Sequence, residues 1–220
     1  MTQLETELQL LKDEVKNMWE LVRTQLVKAK ASLQNFDKDL AREVKSKERR
    51  VNAFELKIDR DCEDIFALFT PVAIDLRFLL AVLKINSNLE RTGDIAEGVA
   101  KHILITEKPF SVELLKATKI IEMYDESINM LDDTLTAFEN EDTVLARSIF
   151  LKDEFLDNIN VNANNMILEY LKEFPNELDM SLYALSIIRK LERVGDQTKN
   201  IAEEIIFYIE AKVLKHSHKL

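Results

Sequence analysis

Leu89-Glu90-Arg91-Thr92-Gly93-Asp94-Ile95-Ala96-Glu97 returns later in the chain as Leu191-Glu192-Arg193-Val194-Gly195-Asp196-Gln197, followed by Ile201-Ala202-Glu203. The offset from Glu90 to Glu192 is 102 residues. A unit that recurs at this distance implies two copies of one fold in tandem, so the reading of the whole chain starts here. Two of the three glycines lie inside the motif. Glycine in the middle of a helix costs about 1 kcal/mol relative to alanine. Its retention in both copies calls for a compensating reason, and close approach of a neighbouring helix is the simplest.

Outside the motif, the punctuation is sparse. With three prolines and three glycines in 220 residues, the turn-dense sheets of an all-β chain are excluded and long helices remain. Leu4, Leu8, Leu11, Val15, Trp19, Val22 and Leu26 step by three or four, as a core-facing helical stripe does. Pro71, Pro109 and Pro175 act as boundaries, because proline inside a helix costs about 3 kcal/mol. The pattern predicts six helices, over 2–34, 38–69, 72–106, 111–138, 142–173 and 178–214, with Ser111 opening the fourth. The fold class expected is all-α: two tandem three-helix bundles related by the internal repeat, the first over 1–107 and the second over 108–220. Short connections make neighbouring helices antiparallel.

A formal net charge of −10 opposes binding to a phosphate backbone and favours cations or basic protein surfaces. No nucleic-acid partner is expected. The single Cys62 allows no internal disulfide, and no basic-then-apolar leader follows Met1. No run of about eighteen apolar residues offers a membrane span. The expected location is cytoplasmic, with any membrane association made through partners.

The acids carry the chemistry. Glu90 and Asp94 share one helix face, as do Glu192 and Asp196, and each pair extends an apolar seam. Like charges at this spacing call for a counter-charge, more so where they are partly buried. An antiparallel hairpin turning near residue 71 brings residue i level with about 142 − i, which sets Glu48 against Asp94 and Asn52 against Glu90. Turning near residue 175 sets Asp153 and Asp157 against positions 197 and 193, where Glu192 and Asp196 meet them. The candidate metal ligands are therefore Glu48, Asn52, Glu90 and Asp94 in the first half and Asp153, Asp157, Glu192 and Asp196 in the second. The second set ranks higher, because Asp157 replaces the neutral Asn52. Glu55 and Asp59 face positions without an acid and rank lower.

Carboxylates without histidine present hard oxygen ligands suited to Mg, Ca, Mn or oxidised iron, and they can bridge several ions. None of His102, His216 and His218 completes a Glu-x-x-His pair, so a ferritin-type oxygen-activating centre is not expected. The competing reading is that Arg91, Arg193 and nearby lysines neutralise these acids in ordinary surface ion pairs. Trp19 and Cys62 read as core residues, and His216 and His218 as part of a basic tail. The chain contains no Gly-rich phosphate loop, Ser-x-Gly elbow or Cys-x-x-Cys pair.

The two Glu-Arg-x-Gly-Asp motifs, with Pro71-Val72-Ala73-Ile74-Asp75-Leu76-Arg77 before the first and Asn200-Ile201-Ala202-Glu203 after the second, closely resemble the PhoU family over essentially the whole chain. The resemblance implies a cytosolic negative regulator of phosphate uptake and of the phosphate-starvation response. It implies an adaptor between the ATPase subunit of the high-affinity phosphate transporter and its sensor histidine kinase, with frequent homodimers. It also implies multinuclear iron or zinc at the acidic motifs. Carried over residue by residue, the sites fall on Glu48, Glu90 and Asp94, and on Asp153, Asp157, Glu192 and Asp196. No catalysis is required of such an adaptor. The alternatives are a metal-dependent phosphoryl hydrolase using the same carboxylates and a helical scaffold without metal.

Overall fold

The computed structural model describes residues 2–214, so His216 and His218 lie outside the described residues. Among these residues seven α-helices follow one another: α1 (Gln3–Asn35), α2 (Lys38–Phe69), α3 (Ala73–Ile105), α4 (Val112–Thr118), α5 (Ile120–Asn140), α6 (Thr143–Glu173) and α7 (Leu178–Glu210), with a 3-10 turn over Pro175–Glu177 before the last. No strand occurs among the described residues. None of their helices is long and apolar enough to cross a membrane.

The ends of the helices follow from local chemistry. Thr2 and Glu5 form a reciprocal capping box at the start of α1. Asp37 and Asp142 each accept two backbone N–H groups at the starts of α2 and α6, and the left-handed Phe36 and Glu141 precede them. These two hairpin turns are equivalent at an offset of 105 residues, so the repeat runs at 105 over its first two helices and at 102 over its third. Ser111 caps α4 by accepting from the Leu114 N–H, as its position in the sequence predicts.

Two boundaries differ from the expected pattern. The fourth helix does not run unbroken over 111–138, because Lys119 adopts φ 54° and divides it. The Thr118 hydroxyl donates to the carbonyls of Leu114 and Leu115, and the Lys119 N–H closes a tight turn onto Lys116. Such side-chain competition for backbone acceptors bends and ends helices. The last helix stops at Glu210 rather than 214, at a left-handed Ala211.

Within each half the helices pack on one another as a three-helix bundle, and α3 and α7 form the main contact between the halves. α2 touches only α1 and α3, so it lies on one flank, and α6 lies on the other. Lys84 meets Glu204, Asn88 meets Asn200, and His102 meets Ser186, so α3 and α7 are antiparallel with residue i level with about 288 − i. That register sets Gly93 level with Gly195, and the local two-fold relating the halves passes between them. A second joint is made by α1 and α5, where the fully buried Trp19 donates its indole N–H to the Leu131 carbonyl at 3.1 Å. Burial of an aromatic of this size, with its polar atom satisfied, fits the core role expected of it.

Candidate metal centre

The acids of the first half converge. Glu48 on α2 and Glu90 and Asp94 on α3 each offer a carboxylate oxygen within 4.8 Å of the others. Their environments are graded, from buried Glu48 through half-buried Glu90 to exposed Asp94. The hairpin register predicts this meeting, and Asn52 lines the same groove beside Glu48 and Asp94.

Gly93 makes the approach of α2 sterically feasible. A Cβ at this position would lie 3.3 Å from Glu48 Oε2 and 3.2 Å from both Gln25 Oε1 and Val51 Cγ1. Gln25 on α1 donates from Nε2 to Glu48 Oε2 at 3.1 Å. The other carboxylate oxygen, Glu48 Oε1, is buried without a hydrogen-bond partner. Burial pushes the Glu48 pKa up to about 7, an effect which the Gln25 hydrogen bond opposes and the charges of Asp94, Glu97 and Glu90 reinforce. Burial followed by the Asp94 charge also raises Glu90. A buried oxygen without a partner, three convergent carboxylates and no histidine form a donor set that a hard cation would satisfy.

Around this trio, Asn86 settles the role of the lower-ranked pair. Its side-chain amide donates at 2.9 Å to Asp59 Oδ1 and at 2.9 Å to the Glu55 carbonyl. Asp59 thus has a neutral partner, while Glu55 is raised by burial first and then by Asp59 and Asp94.

The second half is arranged differently. Asp153 is buried on α6, and Lys199 on α7 donates to Asp153 Oδ2 and also reaches Asp196 Oδ1 at 3.3 Å. Burial raises the Asp153 pKa, and the Lys199 hydrogen bond pulls it back. Glu192 is raised by burial and by the neighbouring Asp196, Asp157 and Asp153 charges. The four acids are therefore close enough to feel one another. Among the described residues, however, the group meeting the 4.8 Å convergence is the first-half trio. The number of charges ranks the second set higher, whereas the convergence of oxygens favours the first, since Lys199 stands between Asp153 and Asp196 in the second.

Ion pairing by the motif arginines does not occur. Arg91 and Arg193 form no hydrogen bond or salt bridge among the described residues, and the neutralising cation in the second half is Lys199. Carrying the repeat past Gln197 would have found it, because Lys199 occupies the place of Glu97 at the same offset of 102. Gln25 carries no such signal. It is a polar residue on an apolar stripe, and only the acid opposite explains it.

The family model described as "PhoU domain" matches residues 15–103 and 120–205, one match in each half. The chain belongs to the PhoU family. The Thermotoga maritima "Phosphate-specific transport system accessory protein PhoU homolog 1" is 31% identical over 96% of this chain and 90% of its own length. The Escherichia coli (strain K12) "Phosphate-specific transport system accessory protein PhoU" is 31% identical over 97% of this chain and 88% of its own length. Among solved structures, PhoU from Pseudomonas aeruginosa aligns with a TM-score of 0.86 at 29% identity, covering 96% of this chain and 100% of that one. The phosphate transport system regulatory protein PhoU from Streptococcus pneumoniae aligns at 0.84 and 30% identity, covering 96% and 99%. The PhoU fold of two tandem helical repeats is therefore shared along nearly the whole chain.

Proposed function

We propose that this PhoU-family protein is a cytoplasmic accessory regulator of phosphate-specific transport. It restrains phosphate uptake and the phosphate-starvation response as an adaptor that binds metal and does no catalysis. The observation that carries the metal-binding part is the meeting of Glu48, Glu90 and Asp94 around a buried, unpartnered Glu48 oxygen. The names of relatives over nearly the full chain support the transport role. Glu48, Glu90 and Asp94 would hold the cation, with Asn52 at the groove wall. Asp153, Asp157, Glu192 and Asp196 form a second, weaker candidate that Lys199 partly neutralises. The ligand type favours Mg, Mn or oxidised iron, and family resemblance adds zinc and multinuclear iron. A bound divalent cation would offset most of the trio's negative charge and tie α2 to α3.

The partners proposed are the ATPase subunit of the phosphate transporter, the sensor histidine kinase and a second copy of this chain. An acidic protein of this net charge suits basic docking faces on such partners. Two measurements test the reading together. Elemental analysis of untagged protein purified without chelator should find metal that Asp94→Asn reduces at least tenfold in affinity. Deleting the gene should leave phosphate-starvation genes switched on in phosphate-rich medium. Metal-free protein would remove the inorganic part, and unchanged gene expression would remove the regulatory part.

A further inference from the structure

On the α3/α7 side of the same motif lies a groove of about 430 Å³ lined by Arg91, Lys101, Lys190 and Arg193, with Asp94, Glu97 and His102 at its walls. Four permanent cations face two carboxylates there, in a chain whose overall charge is −10. Glu97 pairs with Lys101 at 2.5 Å, so the net excess of two positive charges is carried by three cations against a single acid of the groove. Asp94 is then the one acid lining the groove that faces Arg91, Lys190 and Arg193; it also belongs to the carboxylate trio, and Arg91 feels Glu90 and Glu55 from outside the groove. None of the three cations forms a hydrogen bond or salt bridge among the described residues.

Backbone architecture supports the grouping. Arg91 and Arg193 are equivalent residues of the two repeats, and the antiparallel α3/α7 register brings both to one groove beside the local two-fold. Lys190 is half-buried, and its ammonium rests against Gly98, where a Cβ would come within 2.7 Å of Nζ. Gly98, the one glycine outside the repeated motif, therefore makes room for this side chain. Two guanidinium forks and one ammonium converging on open space are the donors that suit a tetrahedral oxyanion.

We propose that the α3/α7 groove binds a small phosphoryl oxyanion through Arg91, Lys190 and Arg193. Inorganic phosphate and the phosphate chain of a nucleotide share this chemistry. The site is distinct from the cation centre and does not depend on it, though Asp94 forms a wall of both. Calorimetric titration of the full-length, chelator-treated protein at low salt, with inorganic phosphate in one arm and ATP in the other, tests the proposal. Saturable binding is expected in at least one arm, weakened about tenfold or more by Lys190→Gln and by Arg193→Gln. Asp94→Asn should tighten the same binding several-fold, opposite to its effect on metal. The tighter arm identifies the source of the phosphoryl group. No binding in either arm, or binding that both glutamine variants leave unchanged while their helical circular dichroism stays intact, overturns the proposal.

Discussion

The two acidic centres occupy equivalent places in the repeat and handle the same electrostatic problem in opposite ways. Each buries one carboxylate from the middle helix of its bundle, Glu48 in the first half and Asp153 in the second. Each makes room for it with a glycine of the motif. In the second half the chain supplies its own counter-ion through Lys199. In the first half the equivalent residue is the acid Glu97, and Gln25 gives Glu48 a single neutral hydrogen bond. A buried acid with its own cation is already compensated, whereas the first-half trio has no ion pair among the described residues, although Arg42, Lys45 and Arg49 line the same groove, and an added cation would stabilise its charged form. The comparison shows how one scaffold can hold a compensated acid and an uncompensated cluster of acids side by side.

The largest effect is expected from breaking the fixed pair. Lys199→Met leaves Asp153 buried and uncompensated, which should cost about 3 to 5 kcal/mol at pH 7. Urea denaturation reads this as a lower midpoint. The deficit should shrink in acid, where Asp153 takes up a proton. An unchanged midpoint would mean that Lys199 merely lies beside the acids.

Next in size is the pH dependence of the first centre without metal. The Glu48 pKa in the fold is about 7, above its ordinary value of 4.5. The raised value means that the unfolded chain releases this proton at lower pH than the folded one. Its contribution to stability is therefore intact below about pH 4.5 and is lost as pH rises through 7. Glu48→Gln should abolish this slope and stabilise chelator-treated protein by about 3 kcal/mol at pH 8. The same substitution should weaken metal binding. Parallel pH profiles for the two proteins would contradict the assignment of the buried proton to Glu48.

The smallest effect separates the two glycines. At Gly195 a Cβ would stand 2.6 Å from Asp153 Oδ1 and 2.7 Å from Leu156 Cδ1. Gly195→Ala should therefore cost about 1 to 3 kcal/mol through overpacking. At Gly93 the nearest atoms are at 3.2 Å, and the gain in helix propensity offsets part of the strain. Gly93→Ala should cost less than about 1 kcal/mol. Equal losses in thermal unfolding would show that clearance for the acid is not what either glycine provides.

The helical class, the tandem repeat and the pairing of Glu48 with Asp94 could be read from the sequence, because each depends on local periodicity or on the register of a short hairpin. The break at Lys119 was hidden, since it depends on which backbone carbonyl the Thr118 hydroxyl takes. The convergence of oxygens favours the first centre, against the ranking by charge, for a related reason. Counting Asp157 against Asn52 compares charges within one hairpin, but Lys199, which pairs with Asp153, lies two positions beyond Gln197, where the repeated motif ends. The groove between the halves was equally hidden. Nothing in the spacing of Arg91 and Arg193 says that α3 and α7 lie antiparallel with Gly93 level with Gly195.

That shared level has an evolutionary consequence. Two separate, identical subunits meeting at the same face would have to change both centres at once, because every substitution in a symmetric dimer appears twice. Joining them in one polypeptide frees each from the other. Lysine could replace glutamate in one copy while the sister copy stayed acidic, and a molecule descended from twins could acquire a left hand and a right.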